Sequence, residues 1–233
     1  MLRNSRLPGE PTNTLKERCH MPSATSRVHE LNHALAAHHL SRLRSVDTSP
    51  ADFRQHVQTL STLLIAEVTR ELRTEPCSVT TPLETISGEQ LAGRIAAVPI
   101  LRAGLGMVTP LTELIPDIEI WHLGLYRDED TAQPVRYYDK LPPDNPASVA
   151  LVLDPMLATG GSASAAIETL KEWGVPKICM ASIISAPEGI AHLTTEYPDV
   201  PIYTCVIDSH LNDQKFIVPG LGDAGDRIFN TLG

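Results

Sequence analysis

One stretch of the sequence, residues 149–173, restricts the possible folds more than any other. It begins with an apolar run that ends in Asp154, continues through a loop of small residues, and then places apolar residues at positions 166, 167, 170 and 173. A short apolar run is typical of a buried strand, and apolar residues three and four positions apart predict a helix. This stretch therefore predicts a strand, a loop and a helix in direct succession.

The same order of strand, loop and helix recurs along the chain. Residues 95–101 form an apolar run before the glycine-containing segment 102–106, and apolar runs at 177–185 and 201–207 flank a predicted helix at 187–196. Strands that alternate with helices at this spacing are typical of a mainly parallel sheet with helices on both faces. We therefore predict an α/β fold whose ligands bind at the carboxyl ends of the strands.

Two more helices are predicted before the first of these strands. Residues 29–44 have the pattern of a helix. The start of the second helix is indicated by a capping hydroxyl at Ser49, a first-turn proline at Pro50 and a first-turn acid at Asp52. Apolar residues then recur from position 53 to position 72, which predicts about six turns that face the core. Residues 77–81 alternate like a short strand.

Composition and charge exclude several classes of function. The 233 residues carry a formal net charge of -9, so the clustered Lys and Arg of a nucleic-acid surface are lacking. The four cysteines lie far apart without a C-x-x-C pair, which favours reduced thiols in a cytoplasm. No apolar run approaches the roughly 20 residues of a membrane span. We expect a cytoplasmic protein with no nucleic-acid partner and no membrane partner.

The chain is expected to form one domain with two appended features. Residues 1–27 are polar and lack the apolar segment of a secretory signal, so we expect either a disordered tail there or a start at Met21, and a single domain over 28–233. Strand-like segments on either side of a charged turn predict a hairpin arm at about 126–140. The apolar pair Tyr137-Tyr138 in this arm favours packing on a second subunit, hence a homodimer or higher homo-oligomer.

Two loops have the chemistry of anion sites. Gly160 and Gly161 let the backbone approach an anion, and the hydroxyls of Thr159 and Ser162 stand beside the free N–H groups of a helix start. This is not a Walker P-loop, because the spacing G-x-x-x-x-G-K-[ST] and its lysine are absent. Arg102 follows the apolar run 95–101, and an arginine at the end of a buried strand is costly unless it meets an anion.

Two other motif matches have weaker support. H-E-L-N-H at 29–33 matches the zinc-protease motif, but the glycine that would turn the chain toward a third ligand is missing and only 28 residues precede it. A literal G-x-G-x-x-G at Gly220, Gly222 and Gly225 is not a dinucleotide fingerprint, since Pro219 interrupts the strand side and only eight residues follow. The zinc hydrolase stays an alternative.

Three segments resemble loops of the uracil phosphoribosyltransferases, a branch of the type I phosphoribosyltransferases. D-P-M-L-A-T-G-G-S at 154–162 is similar to their loop for 5-phospho-α-D-ribose 1-diphosphate (PRPP). P-I-L-R-A-G-L-G at 99–106 is similar to their diphosphate loop, and residues 216–227 are similar to their uracil loop. One departure is Pro155, which stands where the second acid of the type I signature usually sits. The resemblance covers about 28–231.

This resemblance implies pyrimidine salvage, in which uracil and PRPP form UMP and diphosphate with Mg2+ carried by PRPP. It implies catalytic roles for Asp154, Arg102 and Asp223. The implied PRPP-binding residues are Arg102, Arg127, Asp154, Pro155, Met156, Leu157, Ala158, Thr159, Gly160, Gly161, Ser162 and Asp223. The implied uracil-binding residues, in a loop at about 208–228, are Ile217, Gly222, Asp223 and Ala224. No metal ligands are predicted in the protein itself.

The Gly- and Pro-rich uracil loop predicts that the base is read by backbone groups. A rigid loop could donate an N–H to O4 of uracil and accept the N3–H of uracil with a C=O. Cytosine has an amino donor at position 4 and an acceptor at N3, so two donors and two acceptors would then face each other. A regulator that keeps this fold only to bind UMP or an RNA is the alternative from another class, and the acidic balance and the complete uracil loop speak against it.

Overall fold

The structure is a computed structural model that describes residues 27–127, 134–138, 141–142 and 144–231. Its strands are β1 (Val28–Glu30), β2 (Thr74–Thr80), β3 (Thr85–Leu91), β4 (Ile95–Pro99), β5 (Glu119–Ile120), β6 (Gly124–Arg127), β7 (Pro134–Tyr138), β8 (Val149–Leu153), β9 (Met156–Leu157), β10 (Ile178–Ser185), β11 (Ile202–Ile207), β12 (His210–Leu211) and β13 (Ile217–Val218). Its helices are α1 (Ala34–Arg44), α2 (Pro50–Val68), α3 (Val108–Leu114), α4 (Gly161–Trp173), α5 (Pro187–Glu196) and α6 (Ala224–Phe229), and a 3-10 helix spans Ala103–Met107.

A seven-stranded sheet forms the centre of the molecule. Its order is β1-β11-β10-β8-β4-β5, with β9 paired to β10, and every one of these pairs is parallel. The predicted mainly parallel α/β fold is therefore confirmed. The register aligns Ala97 with Leu151 and Leu151 with Cys179, so β4, β8 and β10 end at the same edge of the sheet.

Helices cover both faces of this sheet. On one face, α1, α2, α3 and α6 bury apolar side chains such as Phe53, Leu111 and Ile228 against the strands. On the other face, α4 and α5 do the same with side chains such as Ile167 and Leu193. Burial of apolar surface on both faces explains why the central strands are apolar along their whole length.

The first predicted helix begins later than the sequence pattern indicated. Its predicted first two residues, 29 and 30, belong instead to strand β1, which pairs in parallel with β11 at the edge of the sheet. The His29 ring stacks on Tyr203 with a centroid distance of 4.6 Å. His33 is the cap before α1 and accepts the Leu35 N–H at 3.1 Å. The H-E-L-N-H motif therefore does not lie on a helix, and the zinc-hydrolase alternative loses the geometry it requires.

The second helix and the strand after it also differ in their limits. Helix α2 has the predicted Ser49 cap but ends at Val68, before the predicted last residue 72. The predicted strand 77–81 is β2, and it pairs with a second strand, β3, that the sequence pattern did not indicate. Strand β3 is exposed along most of its length, so it lacks the apolar alternation that marks a half-buried strand.

Several predictions fall wholly or partly outside the described residues. The predicted tail 1–27 lies outside them except for Arg27, and the turn of the predicted arm also lies outside them. The single domain over 28–233 stays a prediction. The arm's two strands are described as the antiparallel hairpin β6–β7. Among the helices that are described, none is long and apolar enough to cross a membrane.

Candidate active site

The two predicted anion loops lie side by side at the carboxyl edge of the sheet. Strands β4 and β8 are neighbours, and the N–H of Ile100 donates to the Leu153 carbonyl over 2.9 Å. Asp154 directly follows β8, and Arg102 follows β4. A Cβ at Gly104 would lie 2.4 Å from the Leu153 carbonyl oxygen, so only glycine allows the Arg102 loop to approach β8 this closely.

Asp154 lies in an environment that favours its neutral form. Solvent reaches part of the residue, but protein atoms surround the carboxyl group, and this desolvation raises its pKa to about 7. The N–H of Met156 donates to Asp154 Oδ1 over 3.2 Å, and this hydrogen bond lowers the pKa. At neutral pH the group is thus divided between acid and carboxylate. Hydroxyl donors or a developing positive charge beside it would favour the carboxylate.

The path from Asp154 to the phosphate loop is held by β10. The Pro155 carbonyl accepts the N–H groups of Ile183 and Ile184 at 3.1 and 3.0 Å. The next two residues, Met156–Leu157, are β9 and pair with β10. Ser162 is exposed in the first turn of α4. Backbone pairing therefore positions the loop, and the hydroxyl of Ser162 stays accessible.

Loop 158–162 has a backbone that fits an anion. Gly160 has φ +86°, a left-handed conformation, and α4 begins at Gly161. The first N–H groups of a helix have no carbonyl partner within it and point out of its N-terminus. A Cβ at Gly189 of α5 would lie 2.3 Å from the Ala158 carbonyl oxygen, so α5 packs directly against the loop. The N-terminus of α4 is therefore presented on a supported loop.

Arg102 connects its own loop to the C-terminal helix. Its side chain is 57% exposed, and it donates to Asp226 Oδ1 at 2.8 Å and to Thr231 Oγ1 at 3.2 Å. Hydrogen bonds from Thr231 and from Arg102 hold the pKa of Asp226 below its usual value. A Cβ at Gly225 would lie 3.2 Å from Asp223 Oδ1 and 3.6 Å from Arg102 Nη2. Arg102 and Asp223 thus lie beside the same glycine.

The predicted uracil loop runs from β13 into α6. Ile217 and Ala224 are buried, and the Val218–Pro219 peptide is cis. Gly222 has φ +79°, which favours glycine at that position. Asp223 caps the start of α6 with its side chain. The loop is therefore anchored at both ends by buried residues. Hydrogen bonds from Arg102 to Asp226 and Thr231 join α6, which follows the loop, to the predicted diphosphate loop.

Comparison with known proteins decides the family. The sequence profile of the family described as uracil phosphoribosyltransferase matches residues 30–231. The chain belongs to the uracil phosphoribosyltransferase family. It is 54% identical over 199 residues to the uracil phosphoribosyltransferase of Roseiflexus castenholzii. The aligned region covers 85% of this chain and 96% of that protein.

Two further relatives extend this comparison. The uracil phosphoribosyltransferase of Natranaerobius thermophilus is 49% identical over 207 residues, 88% of this chain and 99% of that protein. A solved structure from Aquifex aeolicus superposes with a TM-score of 0.83 at 33% identity and covers 88% of this chain and 98% of that one. The predicted family membership is confirmed.

Most of the residues implied by the family resemblance are brought together by the fold. Asp154, Arg102 and Asp223 border one edge of the sheet, and the phosphate and uracil loops start from the same edge. Arg127 is the last residue of β6, but its side chain lies outside the described residues, as do those of Tyr137 and Tyr138. The individual roles of these residues stay predictions.

Two charged residues at the uracil loop were missed by the sequence analysis. Arg44, at the end of α1, donates to both carboxylate oxygens of Asp208, which follows β11. Asp208 stands directly after an apolar strand, as Asp154 does, and this shared position was the available signal. No local pattern indicated Arg44, because its partner lies far away in the sequence.

Proposed function

We propose that this chain catalyses the reaction of its family, the transfer of a phosphoribosyl group from PRPP to uracil to form UMP and diphosphate in pyrimidine salvage. The single observation that carries the proposal is that the three family-like loops meet at one edge of the sheet. The profile match over residues 30–231 covers all of them. Such a reaction has a good leaving group, so positioning and charge stabilisation supply most of the catalysis.

PRPP would bind across the two anion loops. The N-terminus of α4 in loop 158–162 suits the 5-phosphate, because its N–H groups and the hydroxyls of Thr159 and Ser162 are donors. Arg102, and Arg127 by family resemblance, would bind the diphosphate through charge-assisted hydrogen bonds. PRPP would have to compete with Asp226 for Arg102, and the exposure of this ion pair supports that exchange.

Asp154 would act on the ribose as a single acid. Its carboxylate can accept hydrogen bonds from the ribose hydroxyls and stabilise positive charge that develops on the sugar as diphosphate departs. Its raised pKa, about 7, supports this role, because burial leaves the negative charge poorly solvated in the free protein and a positive charge on the sugar would compensate for it. With Pro155 at the next position, no second carboxylate is adjacent to share this role.

Mg2+ would bind mainly through PRPP. In the parts of the chain that the structure describes, no three His, Cys, Asp or Glu side chains are grouped to hold a metal. Mg2+ keeps several waters and is usually bound through substrate phosphates, so the ion would arrive with the phosphates of PRPP and not at a preformed set of protein ligands. When bound, the ion would neutralise negative charge on the departing diphosphate.

Uracil would bind at the loop from Ile217 to Ala224. Among the described residues, no hydrogen bond uses the N–H or the C=O of Gly222. These groups are available to pair with uracil O4 and N3–H, in agreement with the predicted reading of the base by backbone. Asp223 follows at once and lies beside Arg102, which would join the base site to PRPP.

We also propose that the chain works in the cytoplasm as a homodimer or higher homo-oligomer. Exposed apolar side chains on the β2–β3 hairpin support the second part. Val79 and Ile86 form a cross-strand pair and are 40% and 45% exposed, and Leu83 in the turn is 95% exposed. Exposed apolar residues that adjoin one another are typical of an interface.

One assay tests the proposed activity. Purified protein is incubated with uracil and PRPP, with and without Mg2+, and UMP is quantified while bound zinc is measured on the same sample. We expect UMP only when both substrates are present, a strong increase with Mg2+, and no stoichiometric zinc. UMP binding without turnover would favour the regulator, and activity that depends on bound zinc would favour the hydrolase.

A further inference from the structure

An ion pair between the partly buried Arg44 and the buried Asp208 contacts the predicted uracil loop. Arg44 Nη1 donates to Asp208 Oδ2 at 2.9 Å, and Nη2 donates to Oδ1 at 2.5 Å. The Asp208 side chain is 3% exposed and that of Arg44 is 23% exposed. Two parallel bonds between a guanidinium and a carboxylate define direction as well as distance. The pair is therefore a rigid support between the end of α1 and the end of β11.

Both members of this pair bind the same residue of the uracil loop, Gly220. Its N–H donates to Asp208 Oδ2 at 3.0 Å, and its C=O accepts from Arg44 Nη1 at 2.7 Å. A Cβ at Gly220 would lie 2.1 Å from the Ile217 carbonyl oxygen, and φ there is +63°. Both backbone polar groups of Gly220 are thus occupied, and the turn around it has no space for a side chain.

Arg227 holds the next peptide in a similar way. Its Nη1 donates to the Leu221 carbonyl at 2.7 Å, its Nη2 donates to the Ser45 carbonyl at 2.6 Å, and the guanidinium lies 4.2 Å from the centre of the Phe53 ring. The protein therefore holds the backbone at residues 220 and 221 through charged side chains. The next residue, Gly222, keeps its backbone groups for a ligand.

We propose that Arg44 and Asp208 are positioning residues that determine how tightly uracil binds and how well it is distinguished from cytosine. This rests on the proposed function. By holding Gly220, the pair would orient the N–H and C=O of Gly222 toward the base, and neither member belongs to the two loops proposed to bind PRPP. A shift of a few tenths of an ångström in the loop weakens both hydrogen bonds to the base together, because their geometry is narrow.

The test compares Arg44→Lys and Asp208→Asn with a matched control. Lysine keeps the charge but loses the fork that reaches the carboxylate and the Gly220 carbonyl together. Asparagine keeps the shape but loses the charge that pairs with Arg44. The control is Arg94→Lys. Arg94 makes an equivalent two-bond pair with Glu119, at 2.6 and 2.8 Å, and also donates to the Asn145 carbonyl, at the opposite edge of the sheet.

For each variant, the KM for uracil, the KM for PRPP and the ratio of kcat/KM for uracil to that for cytosine are measured, together with Tm. We expect both Arg44→Lys and Asp208→Asn to raise the uracil KM by about tenfold or more and to lower the ratio by a similar factor, with the PRPP KM within about twofold. Arg94→Lys should lower Tm without either effect on uracil.

Several results would overturn the proposal. An unchanged uracil KM in Arg44→Lys would do so, and so would a rise in both KM values by the same factor. If both variants fail to fold while Arg94→Lys folds, the pair is a folding element and the proposal is wrong. Wild-type protein that forms no UMP would refute the proposed function, whereas an active wild type with unaffected variants would refute only this inference.

Discussion

At the scale of single residues, charge in the site depends strongly on surroundings. Asp154 and Asp226 are both aspartates at the same edge of the sheet, yet burial raises the pKa of Asp154 to about 7 and hydrogen bonds from Thr231 and Arg102 lower that of Asp226. The first is suited to respond to a bound ligand, and the second remains a carboxylate that holds Arg102.

The pH dependence of catalysis should report Asp154. In wild-type protein, kcat/KM for PRPP should rise as pH increases through about 7, because only the carboxylate binds the ribose in the required form. Asp154→Asn should lower kcat/KM for PRPP by about tenfold or more and remove this rise. Initial rates of UMP formation, measured at a series of pH values on either side of neutrality, give the pH profiles of wild type and variant. The phosphate of PRPP titrates near pH 6 as well, but that change remains in the variant.

The same raised pKa affects stability in a defined direction. Because the folded protein binds the Asp154 proton more tightly than the unfolded chain does, this group favours folding most at low pH. Its contribution falls as pH rises from the unfolded value, 3.8, through about 7. Asp154→Asn should therefore gain stability relative to wild type at alkaline pH. A stability difference from wild type that does not change with pH would contradict the assignment.

Arg102→Ala should weaken PRPP and diphosphate binding by about tenfold and leave the uracil KM within about twofold, because only the anions lose a charge-assisted partner. Unfolding should change little, since the ion pair that Arg102 forms is exposed. The matched control is Asp226→Asn, which frees Arg102 but keeps its charge and should not weaken PRPP binding. Equal losses for uracil and PRPP would remove Arg102 from the diphosphate site.

At the scale of elements, the contact between α1 and α2 includes a histidine pair. His39 Nδ1 lies 3.0 Å from His56 Nδ1, and burial is the main reason that the pKa of each is lowered from 6.5. His38 and Arg42 lower the pKa of His56 further, whereas Asp52 raises it. Two charged imidazoliums could not share this hydrogen bond. Protonation should therefore weaken the packing of α1.

The stability of the protein should fall on acidification below about pH 6.5 through this pair. Lowered folded-state pKa values mean that the unfolded chain binds more protons, so the contribution is complete above 6.5 and is lost as pH falls below it. Urea unfolding at neutral and mildly acidic pH should show a smaller loss for His39→Gln than for wild type. His122→Gln, a change at an exposed position, is the control and should behave like wild type.

At the scale of the whole molecule, the β2–β3 hairpin exposes several adjoining apolar side chains on a single chain. Ile86→Lys should shift the protein toward a smaller species in sedimentation or light scattering, because it places a charge in the proposed contact between subunits. The neighbouring Thr85 points to the opposite face of the hairpin, so Thr85→Lys is the matched control. A wild type that is monomeric throughout, or an Ile86→Lys variant of unchanged size, would contradict the homo-oligomer.

Much of the fold was readable from the sequence because its signals are local. Each of the apolar strands β4, β8, β10 and β11 is a short continuous segment of the sequence. The cap and the apolar face of α2 also lie within one continuous segment. Burial on both faces makes such strands continuous in apolar character. The phosphate loop is also local, since one strand end, two glycines and one helix start form it.

The remaining features depend on partners far apart in the chain. Strand β1 pairs with β11, more than 170 positions later in the chain, so residues 29 and 30 were assigned from their local pattern to a helix. Strand β3 is exposed and was indicated by no apolar pattern, although β2 pairs with it along its whole length.

By itself, the sequence determined the parallel α/β architecture and the family, and it predicted the anion loops, because these depend on neighbouring residues and on motifs. Only the tertiary structure decided that Arg44 and Asp208, 164 positions apart, hold Gly220 together, and that Arg102 meets Asp226 and Thr231. Hydrogen bonds of this kind require short distances between atoms, and the folded chain alone brings such distant residues within reach.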